Sequence, residues 1–176
     1  MAFGKTFVLS LVTFIGLNFV FAIIIAALSD SIGIFLPDLM DPLSNLASAL
    51  FGPIGMEDPI ILVYLPILPG SVAASIPIAL IDPIDLGILL GLIFFIVAPL
   101  LAAIIAGRLG ESKGERFGAW FLVSMVSMGV YLILILIGEV HASDLITIIV
   151  NTIISGLING FFYGCFALLF AKSEIY

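Results

Sequence analysis

The sequence predicts an all-α integral membrane protein, and three observations predict it. Of the 176 residues, 63% are hydrophobic and only 10% charged, where a soluble domain has roughly 45–50% and about 25%. The mean hydropathy of +1.41 leaves too little polar surface for a globule in water, and it is the opposite of a disordered composition. Four charge-free apolar stretches reach the roughly 20 residues that a helix needs to cross a hydrocarbon core about 30 Å thick. They cover residues 7–28, 87–107, 117–138 and 145–171, and the whole chain reads as a single membrane domain. Five Lys and Arg in all are too few for a nucleic-acid footprint.

The first stretch follows Lys5 and is longer than the roughly 7–15 apolar residues of a signal peptide, so it is expected to stay as a membrane helix. Asn18, Ala22 and Ala26 recur along it at four-residue spacing. An amide at mid-membrane depth must find a partner, and such bonds are worth about 0.6–2 kcal/mol.

Between the first two spans, residues 30–85 hold seven acids (Asp30, Asp38, Asp41, Glu57, Asp58, Asp82, Asp85) and no Lys or Arg. That equals the formal net charge of −7 of the whole chain, so the remaining residues sum to zero. Residues 43–51 carry apolar side chains at helical spacing behind Asp41-Pro42, a capping residue and a first-turn proline, and read as a short interfacial helix. Residues 60–81 are long enough to span, but Pro66, Pro69, Gly70 and Pro77 interrupt them. Each interior proline costs a helix about 3 kcal/mol. The expectation is an extended piece over 60–68 and a short helix over 71–80. The close acid pairs could offer oxygen ligands to a hard cation, yet no loop has cation-binding spacing, and solvated turns are the plainer reading.

Charge placement sets the orientation, because basic residues of short loops stay cytoplasmic. With four spans and both termini cytoplasmic, Lys5, Arg108, Lys113, Arg116 and Lys172 all fall inside. The alternative of five spans with the N-terminus outside strands Lys5. In the four-span reading, the Pro-rich apolar and acidic segment is extracytoplasmic.

The second span carries Ala98, Ala102 and Ala106 on one face with Pro99 between them, a pattern for a kinked helix packed by its small residues. The cytoplasmic turn after it offers Arg108, Lys113 and Arg116 to anionic headgroups or to a soluble partner. Trp120, at the start of the third span, suits an interfacial anchor. Ser124, Ser127 and Thr147 can bond carbonyls of their own helix. In the last span, Gly156, Gly160 and Gly164 recur every fourth residue, a groove that lets another backbone approach closely. The partner can be a neighbouring span or another subunit. Asn151 and Asn159 join Asn18 as a candidate polar lining, or as helix-to-helix links such as Asn18 to Asn159.

The chemistry-bearing residue types are sparse. A lone Cys165 and a lone His141 build no disulfide, zinc or haem site. There is no nucleophile elbow, metalloprotease helix or phosphate loop. The charge-free spans argue against a proton-coupled carrier. The expectation is a non-catalytic polytopic subunit of a larger complex in the cell membrane, with no cofactor and no metal. Its partners would be the lipid bilayer and other membrane subunits or further copies of itself. The alternative is a small-solute binding or transport protein, such as the substrate-capture subunit of a modular transporter.

Overall fold

Charge-free apolar runs become helices because a membrane-length segment satisfies its backbone donors and acceptors only internally. The computed structural model describes residues 2–28, 43–51, 86–137 and 145–171, together with Pro37 and Leu39. The described residues contain helices and no strand. They form α1 (Ala2–Leu28), α2 (Leu43–Phe51), α3 (Leu86–Leu109), α4 (Lys113–Leu136) and α5 (Leu145–Leu169). Four of the five, α1, α3, α4 and α5, are long and apolar enough to cross a membrane. The expectations for the rest of segment 30–85, for the turn holding His141 and for Lys172 lie outside the described residues.

Neighbouring long helices alternate in direction. Ser10 of α1 meets Ala102 of α3, while Phe21 meets Phe94, so these two run antiparallel. The same holds for α4 and α5, where Phe117 lies against Gly164 and Met128 against Gly156. Across the bundle, Phe3 touches Gly118, and Gly107 abuts the backbone of Ala167. The start of α1, the α3–α4 turn and the end of α5 therefore gather at one end.

The core is built from small residues around one large aromatic. Ala98, Ala102, Ala103, Ala106, Ala119 and Ala167 are fully buried, as are Trp120 and Val123. Outward-facing positions are apolar too, with Ile146 and Leu169 each 76% exposed. A face so apolar is costly in water and at home in hydrocarbon. Pro99 lies inside α3, tolerated where surrounding groups compensate for its missing donor.

The α3–α4 turn is tightly specified. Ser112 and Glu115 form a capping box, with the Ser112 hydroxyl accepting from the Glu115 N–H and the Glu115 side chain accepting from the Ser112 N–H. Both are orphan donors at a helix start. Arg116 is buried, and its Nε donates to the Gly110 carbonyl at 2.8 Å. A Cβ on Gly110 would come within 3.0 Å of the Arg116 backbone nitrogen, so the turn needs glycine for close approach.

Candidate functional site

Polar side chains within the apolar helices converge on a chamber halfway along the bundle. Its polar lining is Asn18 from α1, Ser124, Ser127 and Tyr131 from α4, and Thr152 and Asn159 from α5. Phe14, Phe51, Phe95, Pro99 and Met128 complete it. The space within it is about 40 Å³. That space admits roughly one or two water molecules, whereas sites for larger ligands have about 300–1,000 Å³.

Three of these six groups, Asn18, Ser124 and Tyr131, hydrogen-bond other helices. The amide Nδ2 of Asn18 donates to the Leu50 carbonyl at 3.3 Å, and the Tyr131 hydroxyl donates to the Phe51 carbonyl at 3.2 Å. Both acceptors belong to the last turn of α2, whose carbonyls have no partner within the helix. Asn18 is therefore a cap for α2 rather than a link to Asn159. It sits ten residues before Leu28, about 15 Å along α1 at 1.5 Å per residue. The end of α2 is thus tied to both α1 and α4, and the small Ala47 and Ala49 within α2 are buried.

Asn159 is used differently. Its backbone carbonyl accepts from Trp120 Nε1 at 3.3 Å, while its side-chain Oδ1 is buried without a hydrogen-bond partner among the described residues. Asn151 lies in α5, and its side chain is outside the described set. Ser124 reaches across to the Gly156 carbonyl at 2.8 Å instead of bonding its own helix, whereas Ser127 bonds the Val123 carbonyl four residues back.

The three α5 glycines face the side chains of α4. A Cβ would come within 2.8 Å of Met128 at Gly156, 2.8 Å of Phe121 at Gly160, and 2.6 Å of Phe117 at Gly164. The groove is occupied within the chain by a ridge of Phe117, Phe121, Ser124 and Met128. Ala98, Ala102 and Ala106 are all buried, with the Ala102 carbonyl accepting from the Ser10 hydroxyl at 2.8 Å. Trp120 is not an interfacial anchor: it is fully buried, edge-on to Phe14 and Tyr163 at 5.7 Å from each. Of the three basic residues of the turn, Arg108 and Lys113 are exposed, and Arg116 is engaged by the turn itself.

Sequence reading misses Ser10, Gly107, Trp120 as a core residue, and the Ser112–Glu115 box. The last had a legible signal in Ser-Lys-Gly-Glu, the capping-box spacing. Among the described residues, no three His, Cys, Asp or Glu side chains converge on a metal site. No family model, curated protein or solved structure matches the chain.

Proposed function

We propose that the chain is a non-catalytic, multi-pass subunit of a cell-membrane protein complex, with both termini cytoplasmic and the acidic segment 30–85 outside. The observation that carries this reading is the use of the internal polar groups. Ser10, Asn18, Trp120, Ser124 and Tyr131 each bond the backbone of another helix, and the chamber lined by Asn18, Ser124 and Tyr131 holds only about 40 Å³. Their arrangement is that of a scaffold stitched together. The glycine groove is filled from within, so a partner has to meet the lipid-facing sides or the acidic segment. Purification in mild detergent followed by mass determination tests the proposal. Co-purifying chains or a defined homo-oligomer are the expected result, and a monodisperse monomer alone would sink it.

Small-solute capture is the second reading, favoured by the position of Asn18 and Asn159 on one chamber. It requires the chamber to enlarge roughly tenfold to reach the usual ligand volume. A thermal-shift panel of small solutes separates the two: a saturable shift that is lost in Asn18→Leu supports capture. For orientation, cysteines placed at positions 5 and 83 in a Cys165→Ala background should label from opposite sides of the membrane.

A further inference from the structure

The outer side of the α1–α3 seam carries two cations at one level. Ser10 meets Ala102 across the seam and Phe21 meets Phe94, so this antiparallel register sets Lys5 opposite residues 107–110. In an antiparallel pair, the residues just before each contact residue fall on the same side of the seam, because each step turns a helix by about 100°. Leu9 and Leu101, one step before Ser10 and Ala102, are both 39% exposed. Phe7 and Leu11, on the other side of α1, pack against the core. Lys5 is four residues from Leu9 and Arg108 is seven from Leu101, so each cation stands on the same stripe as its leucine. Both are exposed, and neither has an ion-pair partner among the described residues. Of the acids described at this end, Glu111 forms no ion pair, and Glu115 is committed to the turn. Its carboxylate accepts from the Glu111 and Ser112 N–H groups.

Below the cations the surface is apolar and open. Gly16 continues the α1 stripe seven residues beyond Leu9, and a Cβ there would meet nothing within 4 Å. Basic pockets between membrane helices hold anionic headgroups, and the charge here is unanswered within the described chain. We propose that the outer mouth of the α1–α3 seam is a binding site for one anionic phospholipid, whose phosphate bridges Lys5 and Arg108 while an acyl chain lies along Leu9, Gly16 and Leu101. The site is distinct from a general attraction of the basic turn to the membrane surface, because the exposed Lys113 belongs to α4 and lies off this seam. It stands whether or not the chain joins a complex, since its residues all belong to α1 and α3.

Native mass spectrometry of the full chain, released from vesicles of equal parts phosphatidylcholine and phosphatidylglycerol, reads the lipid retained. The wild-type protein should keep phosphatidylglycerol in preference to phosphatidylcholine. Lys5→Gln and Arg108→Gln should each weaken that retention about fivefold, the equivalent of about 1 kcal/mol for a basic residue near a membrane surface. Lys113→Gln removes the same charge and should leave retention unchanged. Equal retention of the two lipids by the wild-type protein overturns the proposal, without depending on any variant. An equal loss in all three variants also overturns it, because that marks a diffuse headgroup layer. So does a loss confined to one of Lys5 and Arg108, since the site is the pair.

Discussion

The α4–α5 seam and the α1–α3 seam achieve close approach by opposite means. On α5, Gly156, Gly160 and Gly164 remove the Cβ altogether, and large α4 side chains fill the space. On α3, Ala98, Ala102 and Ala106 keep theirs and are fully buried. That seam is closed by the Ser10 hydroxyl and by a parallel Phe21–Phe94 stack with centroids 4.0 Å apart. In lipid there is no hydrophobic drive between helices, so association rests on van der Waals fit and interhelical bonds. Both seams carry interhelical bonds, and they differ in how the fit beside those bonds is made. They should therefore fail under different substitutions.

The largest effect is expected at Trp120, which touches both halves through Phe14 and Tyr163. Trp120→Ala should cost about 3–5 kcal/mol, the range for deleting a buried large aromatic. Unfolding in mixed micelles measures it. Trp120→Phe keeps much of the volume and loses the bond to the Asn159 carbonyl, so it should cost far less. If the two variants cost the same, the indole N–H would dominate and the packing account would be wrong.

Next comes the glycine seam. Gly160→Ala places a methyl 2.8 Å from Phe121, and overpacking of this kind costs about 1–3 kcal/mol. Adding Phe121→Leu should recover part of that loss, because the two groups compete for one space. A double-mutant cycle reads the coupling, and strict additivity would show that the α4 ridge does not fill the groove. On the other seam, Ala102→Gly should cost only about 1 kcal/mol, the helix-propensity difference, plus a methyl's loss of contact.

How much of this was legible follows from which interactions have a period. Apolar runs and small-residue spacing repeat along a helix, so the four long helices and the Gly156–Gly160–Gly164 face could be read directly. Pairings between helices have no such trace. Asn18 was visible as a polar residue in need of a partner, but the Leu50 carbonyl is a backbone group exposed only because α2 ends there. Trp120 reads as an anchor by its place near a span end, and only three-dimensional packing makes it the centre of the core. Arg116 looks like Arg108 and Lys113 in sequence, yet the turn closes around its guanidinium. The chamber was equally hidden, since Ser124, Ser127 and Asn159 are individually ordinary and meet only when α4 and α5 pack antiparallel.

The smallest expected effect is also the finest comparison, because Ser10 and Ser124 make the same bond on different seams. Each donates at 2.8 Å to a carbonyl inside a neighbouring helix, that of Ala102 or that of Gly156. These acceptors lie within regular helix and keep an intrahelical partner when the hydroxyl is removed. Neither Ser→Ala change therefore strands a buried carbonyl, and each should cost about 0.6 kcal/mol, the mean for such bonds in a membrane. The two sites differ in what lies beside the hydroxyl. Ser124 borders the chamber and Ser10 is not among its lining residues, so Ser124→Ala also enlarges a space already left inside the bundle. Unfolding midpoints measured side by side should then place Ser124→Ala below Ser10→Ala. Equal midpoints would mean that the Ser124 oxygen does no more than join α4 to α5.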